Sequence, residues 1–557
     1  MSFNVADLLE HSVDAMPDRT ALVCGRRTVT YRELDERANR LAHHLAARGI
    51  GAGDHVGVYS RNSIETVETM FAAFKLRAIP INVNYRYVAD ELRHIFTNAD
   101  LKALVFERPY AGRVAAVLPD APLLRTLVVV DDGTDGDGDT ALQDLRAAGG
   151  AAVSVADYES ALAAQSAERG FAERSPDDLY ILYTGGTTGR PKGVMWRQED
   201  VYRTLGGGIN FITGEYVTDE WQPSKMGAQG PGMVAMPASP LIHGAAQWAA
   251  MMNLFGGGTV VLVPHFDPDV VWQAVQDNGV QILTVVGDAM ARPLMDAYKA
   301  GHYDASSLVS FTSHAALFSQ SLKEEYLDTF PSLFLTDAIG SSESGFVGIG
   351  IVARGVDYTQ GPRVNPSAQA ALIDDDGALV PMAPGATGRM ARTGHVPIGY
   401  YNDPVKSATI FAEIDGKRYV IPGDYARYEE DGTLTLLGRG SGCINTGGEK
   451  VFPEEVEGAI KSHPDVFDVL VVGVPDDRLG QRVGALIQAR DGVELDIPAV
   501  LRQARTKIAG YKVPRSVWLV DRVHRQPSGK PDYPWATRHT TSTPETAIPA
   551  VPSVQGR

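Results

Sequence analysis

The sequence predicts an α/β protein in two parts, a large α/β domain over residues 1–440 and a small α+β domain over 441–533, with a tail at 534–557 expected to be disordered. Three observations predict it. A chain of 557 residues is too long for one hydrophobic core, so two or more domains are expected. Ahead of residue 440, short apolar runs alternate with amphipathic stretches, the pattern of strands and helices stacked in layers. Past it the chain sets out a short helix and strand succession of its own, and the last stretch is rich in Thr, Pro, Ala and Ser.

Taken in order, Thr30-Tyr-Arg-Glu33 is a capping-box pattern, and it opens a helix whose Leu34, Ala38, Leu41 and Leu45 share one face. Gly49 is the expected stop. Residues 56–59 read as a strand, 67–75 as a helix and 78–83 as a strand. The acidic, Gly-rich residues 131–139 are expected to form a mobile surface loop. Residues 226–266 contain no Asp, Glu, Lys or Arg, but Pro237, Pro240, His243, Gln247, Asn253 and the glycines at 256–258 interrupt them. A buried helix, turn and strand is expected there in place of a membrane span. In the small domain, 453–461 reads as a helix with Pro in its first turn, 468–472 and 483–489 as strands, 497–508 as a helix and 516–520 as a strand.

Hydrophobic residues make up 44% and charged residues 21%, the balance of a globular protein. The net charge of −17 gives no support to nucleic-acid binding, while leaving room for a local basic pocket. Cys24 and Cys443 are far apart and build no disulfide framework, which fits a reducing cytoplasm. Residues 1–10 carry Asp7 and Glu10 and lack a basic-then-apolar leader pattern.

The chain is organised around residues 179–194, Leu-Tyr-Ile-Leu-Tyr-Thr-Gly-Gly-Thr-Thr-Gly-Arg-Pro-Lys-Gly-Val. An apolar run that reads as a buried strand breaks into a loop carrying Thr184, Gly185, Gly186, Thr187, Thr188 and Gly189, followed by Arg190 and Lys192. Glycines let successive backbone N–H groups turn onto one anion, threonines add donors, and the cations suit a triphosphate. Lys192 lies between Pro191 and Gly193, so this is not a Walker loop. The plain alternative is a Gly/Thr turn ahead of a helix.

This stretch closely resembles the phosphate-binding signature of the AMP-forming adenylating enzymes, and further segments extend the resemblance in the family's order from residue 3 to residue 533. Residues 237–244, Pro-Ala-Ser-Pro-Leu-Ile-His-Gly, resemble a segment that lines the acyl pocket, with His243 at the matching position; a satisfied core histidine is the alternative. Ser313-His-Ala-Ala316 resembles the loop beside adenine, with Ala315 and Ala316 matching and His314 in place of a glycine. Asp337-Ala-Ile-Gly-Ser-Ser-Glu343 resembles Asn-x-Tyr-Gly-x-Thr-Glu. Here Asp337, Ala338, Ile339, Gly340, Ser341 and Ser342 are implied nucleotide contacts, Ile339 replaces an aromatic, and Gly340 also borders the acid. Glu343, with the Thr184 hydroxyl, is the implied Mg²⁺ ligand. Asp424 resembles the carboxylate that accepts from both ribose hydroxyls, and Arg439 its partner. Residues 440–442, Gly-Ser-Gly, coincide with the interdomain hinge, and Gly447 and Gly448 match a segment beside the CoA arm. Lys530, in Gln-Pro-Ser-Gly-Lys, matches the adenylation lysine; without the other motifs it would read as a solvated surface lysine.

The resemblance implies a multi-subdomain N-terminal domain, a mobile C-terminal domain, and an acyl-CoA synthetase with ATP, Mg²⁺ and coenzyme A as cofactors or co-substrates. Lys530, Lys192 and Glu343 are the implied catalytic residues. Within the family the motifs look most like actinobacterial fatty-acyl and steroid side-chain CoA ligases. Alternatives are an acyl-AMP ligase feeding a carrier protein or other acceptor, an aryl-acid CoA ligase, and a non-catalytic nucleotide-binding protein. The partners are a small carboxylic acid, ATP and CoA, with no nucleic acid and no transmembrane segment; a homodimer is left open.

Overall fold

The computed structural model describes residues 3–133, 138–184, 190–210, 214–316, 318–356, 358, 361–446, 449–476, 479–526 and 529–546. They form two compact units, one of Met1–Thr284, Ala297–Val309 and His395–Phe411, the other of Val285–Asp296, Ser310–Gly394 and Ala412–Arg557.

The first unit contains an all-parallel five-stranded sheet in the order Ile79–Asn82, His55–Tyr59, Leu101–Glu107, Thr126–Val130, Ser154–Asp157. Successive residues of one strand enter different cores: Leu127 and Val129 pack with Phe96 and Phe106, Val128 and Val130 with Leu41 and Tyr158. Such strands read as continuous apolar runs, because helices cover both faces. Helix Tyr31–Ala46 starts at the expected box: the Thr30 hydroxyl accepts from the Glu33 N–H, and the Glu33 carboxylate accepts from the Thr30 N–H. The next helix, Ile64–Lys75, begins ahead of the expected 67 because the Ser63 hydroxyl caps it. Residues 226–266 contain the expected helix and strand, Gly244–Phe255 and Thr259–Leu262, and ahead of them a strand that was not expected, Val234–Pro237. Among the described residues no helix is long and apolar enough to cross a membrane.

The loop expected over 131–139 is shorter than that. Asp131 pairs with Arg108 at 2.9 Å, Asp132 pairs with Arg61, and helix Gly138–Gly149 begins inside the stretch. Residues 134–137 lie outside the described ones.

In the second unit, strands Ser310–His314 and Phe334–Ser341 are parallel, and Phe334–Ser341 turns back antiparallel into Gly345–Ile351. Strands Asp424–Tyr428 and Leu434–Arg439 form an antiparallel pair farther along. The C-terminal part has its own five-stranded sheet, centred on Val466–Asp476 and Gly480–Ala489. Helices Pro453–Lys461 and Ile497–Arg505 cover one face, where Val469, Val471 and Ile487 are buried.

The other face corrects the expected disordered tail. Leu470, Val472, Leu486 and Trp518 need cover there, and helix Tyr533–Ser542 supplies it with Tyr533, Trp535 and Ala536. The Asp532 carboxylate caps that helix at the Trp535 N–H, 2.9 Å, with Pro534 in the first turn. The Trp518 indole N–H donates to the Thr543 carbonyl, 2.9 Å. Residues 547–557 lie outside the described ones.

Candidate active site

In the first unit the Gly/Thr loop is carried by a hairpin. Strand Leu179–Thr184 pairs antiparallel with Lys192–Arg197, and Thr184 faces Lys192 across the ladder. A strand follows the loop, so the plain alternative of a turn ahead of a helix does not apply. Gly185, Gly186, Thr187, Thr188 and Gly189 lie outside the described residues. Gly193 is required by packing: a Cβ there would come 2.7 Å from the Tyr183 ring. The Lys192 ammonium lies 3.6 Å from the Asp403 carboxylate and 5.5 Å from the centre of the Tyr400 ring, and stays about a third exposed. A lysine held this loosely can be drawn to a phosphate, since an exposed pair is worth about 0–1 kcal/mol.

Asn82 had no signal in the sequence, yet it fixes the end of this hairpin. Its amide N–H₂ donates to the carbonyls of Tyr183, 2.8 Å, and Ile242, 2.7 Å, and its carbonyl accepts from the Tyr183 N–H, 2.8 Å. One side chain thereby joins the phosphate-loop strand to the segment of His243. His243 is the residue just before helix Gly244–Phe255. Gly244 packs so tightly that a Cβ would lie 2.4 Å from Leu182, which explains the small residue without any ligand.

In the second unit the ends of two parallel strands lie side by side, with Ser313 opposite Asp337 and His314 opposite Ala338. The Asp337 carboxylate is buried and bonded to the Lys323 ammonium at 2.5 Å. Burial pushes this carboxyl up, against the pull of Lys323. The side chain is thus engaged in an internal ion pair, and Ala338 is the part-exposed neighbour. Ile339 is 5% exposed and packs with Val347, Val364 and Met390. A Cβ on Gly340 would meet the Gly345 carbonyl at 2.3 Å, so the hairpin itself demands glycine. Ser341 is spent on the turn, its hydroxyl 3.0 Å from that of Ser344 and accepting from the Ser344 N–H at 3.0 Å. Ser342 and Glu343 occupy the turn itself, both half-buried.

Ala315 takes the left-handed conformation, φ 63°, and the Ala316 N–H donates to the His314 carbonyl at 2.8 Å. Strain of this kind gathers at functional sites. Both His314 ring nitrogens are buried without a hydrogen-bond partner among the described residues, although the residue as a whole is partly exposed. Burial, reinforced by the charge of Lys530, pushes the imidazole down to about 4, so it is neutral at physiological pH. The Lys530 charge is thus felt at His314. The Lys530 loop is closed by two backbone bonds, Gln526 N–H to the Lys530 carbonyl and Gly529 N–H to the Gln526 carbonyl, both 2.8 Å.

Asp424 and Arg439, implied as partners on the ribose, are directly opposite in the antiparallel ladder. Past Arg439 the chain enters a 3₁₀ turn, Gly440–Gly442, tied back by the Gly440 N–H to the Gly423 carbonyl at 2.9 Å. Gly447 and Gly448 lie outside the described residues. Among the described residues no cluster of three or more His, Cys, Asp or Glu could hold a metal. Glu343 in the second unit and the Thr184 hydroxyl in the first are each a hard oxygen donor of the kind that suits Mg²⁺.

Residues 9–401 match the AMP-binding enzyme family, and residues 455–530 match the AMP-binding enzyme C-terminal domain. A 3-oxocholest-4-en-26-oate–CoA ligase of Rhodococcus rhodochrous is 54% identical over 550 residues, 98% of this chain and 97% of that protein. A medium/long-chain-fatty-acid–CoA/3-oxocholest-4-en-26-oate–CoA ligase of Mycobacterium tuberculosis is 53% identical over 545 residues, 98% of this chain and 97% of that protein. Among solved structures, the anthranilate CoA ligase AuaEII in complex with anthranoyl-AMP has a TM-score of 0.81 at 21% identity, covering 98% of this chain and 99% of that one.

Proposed function

Because the chain belongs to the AMP-binding enzyme family, we propose that it joins a fatty acid or a steroid side-chain carboxylic acid to coenzyme A through an acyl-AMP intermediate. It is an AMP-forming acid–thiol ligase, and ATP and CoA are its co-substrates. The observation that carries the substrate class is an identity above one half, spanning almost the whole chain, to ligases named for those acids.

The chemistry divides in two. The carboxylate attacks the α-phosphorus of ATP and diphosphate leaves; the CoA thiol then attacks the acyl carbon, AMP leaves and the thiol proton passes to solvent. The first step brings an anion to a polyanion, so it needs positioning and charge neutralisation above all. In this reading Lys192 and the 184–189 loop bind the phosphates, and Lys530 supplies charge at the carboxylate and α-phosphate. Asp424 accepts from the ribose hydroxyls beside Arg439, and the turn at Ala315–Ala316 with Ala338 borders the base. Mg²⁺, when bound at Glu343 and Thr184, would offset phosphate charge. Gly447 and Gly448 leave width for the CoA arm, and His243 borders the acid. The division at 440–441 belongs to the same reading, the 441–533 part turning about Ser441 between the two steps. A cytoplasmic setting rests on Cys24 and Cys443, neither of which forms a disulfide.

The test is an acid panel of graded fatty acids, aryl acids and 3-oxo steroid side-chain acids, with and without CoA, read as diphosphate and as acyl-CoA mass. The reading expects acyl-CoA and diphosphate in equal amounts from a fatty or steroid acid. Diphosphate without acyl-CoA would favour an acyl-AMP ligase, aryl acids alone would move the substrate class, and no diphosphate from any acid would sink the reading.

A further inference from the structure

A group of four buried charges lies behind the Lys530 loop. Lys461, the last residue of helix Pro453–Lys461, places its ammonium 3.1 Å from the Asp288 carboxylate and 2.8 Å from that of Asp468. Arg525 grips Asp468 with two bonds, Nε to Oδ2 and Nη2 to Oδ1, both 2.7 Å. The four side chains are between 2% and 13% exposed. Among these four, two cations and two anions pair, which makes their burial tolerable, and the buried Arg292 adds a further cation beside Asp288.

The group ends on the loop. The Arg525 Nη1 donates to the Gly529 carbonyl at 3.3 Å, and Arg525 forms a bridge with Pro531. Lys530 lies between these two anchors. Gly529 also rests on the turn that carries Asp288: a methyl group on it would lie 3.3 Å from Val286 Cγ1 and from Ala289 Cβ. The same short stretch, residues 286–289, therefore meets the loop by contact at Gly529 and the helix end by charge at Lys461.

We propose that Asp288, Lys461, Asp468 and Arg525 are a positioning relay that sets Lys530 for acyl-AMP formation, and that the Asp288–Lys461 pair is the joint that parts before the thiol step. This rests on the role given to Lys530 and on the turning of the 441–533 part in the proposed function. Three members, Lys461, Asp468 and Arg525, belong to that part, while Asp288 precedes it by more than a hundred residues and would not travel with it.

Both sides of the joint keep a partner when it opens. Lys461 stays with Asp468. Asp288 keeps the Ser319 N–H on Oδ1 at 2.8 Å and the charge of Arg292. Burial alone would raise the Asp288 carboxyl, but Lys461, Arg292 and the Ser319 bond outweigh it and hold it low. A buried pair that left a bare charge on parting would lock the arrangement; this one does not.

The experiment compares the full-length protein with Asp288→Asn, Lys461→Gln, Lys530→Ala and the Asp288→Asn/Lys530→Ala double variant. Each is read for single-turnover acyl-AMP formation without CoA, and for acyl-CoA formation from supplied acyl-AMP. Asp288→Asn should slow acyl-AMP formation about tenfold, the scale of a misplaced catalytic group, with acyl-CoA formation unchanged or faster. Lys461→Gln should do the same, and carries the test if a melting curve shows Asp288→Asn misfolded. In the Lys530→Ala background, Asp288→Asn should cost nothing further, because there is no lysine left to position. Equal loss in both half-reactions, full additivity with Lys530→Ala, or an unchanged acyl-AMP rate would each overturn the relay while leaving the proposed function standing. A wild-type chain that makes no acyl-AMP from fatty or steroid acids would overturn both.

Discussion

Lys530 and His314 show how one side chain's worth depends on the backbone beneath it. Lys530 is the fourth residue after Gln526, in a turn closed by two backbone bonds, so its Cα is fixed while its four-carbon stem can reach. Lys530→Ala should cut acyl-AMP formation by about 10²–10³-fold, as for loss of one donor to developing charge, and spare acyl-CoA formation from supplied acyl-AMP. Equal loss in the two assays would remove it from the first step. His314 supports a prediction about pH. Its pKa, like that of His44, is lowered by burial to about 4 from an ordinary 6.5. The folded state then binds fewer protons than the unfolded state, so the contribution is present above pH 6.5 and is lost as pH falls toward 4. His314→Gln should therefore show a smaller fall in thermal midpoint between pH 7.5 and pH 5.0 than the parent chain. A fall of the same size would mean the ring is not buried neutral.

At the scale of elements, the turn Gly440–Gly442 is where the reading is most exposed to test. Proline fixes φ and removes an N–H, so Ser441→Pro should trap one arrangement. Acyl-AMP should still form in a single turnover, while steady-state acyl-CoA production falls steeply; a proportional fall in both would point to damaged folding or nucleotide binding instead. Much of this architecture was legible in the chain. The capping box at Thr30, the apolar run before Thr184 and the proline opening of helix Pro453–Lys461 are local signals, and each element stands where its signal does. What stayed hidden depends on partners remote in space. The pairing of Asp337 with Lys323, on a helix of its own, has no mark in the sequence. Ile339 precedes a register shift at Gly340, and its packing in the core comes from strands that the sequence could not place beside it. The tail helix had its signals too, Asp532 as cap and Pro534 in the first turn, but composition outvoted them.

Across the whole molecule, a net charge of −17 works against the approach of ATP and CoA, both polyanions, and at physiological salt the screening length of about 8 Å confines that repulsion to near neighbours. Capture then falls to single exposed cations, and the two ion pairs given roles in the proposals above differ in their access to water. Lys192 and Asp403 are each about a third exposed, whereas Lys461 and Asp288 are 2% and 6% exposed. Mobile ions reach the first pair and scarcely reach the second. Adding sodium chloride should therefore raise KM for ATP and for CoA while leaving the rate of acyl-CoA formation from supplied acyl-AMP at saturating CoA nearly level, and a salt titration of both would show whether it does. On the proposed roles, osmotic stress would be met as a loss of nucleotide affinity, which a higher ATP concentration restores, while the alternation between half-reactions would keep its timing as the surrounding electrolyte changes.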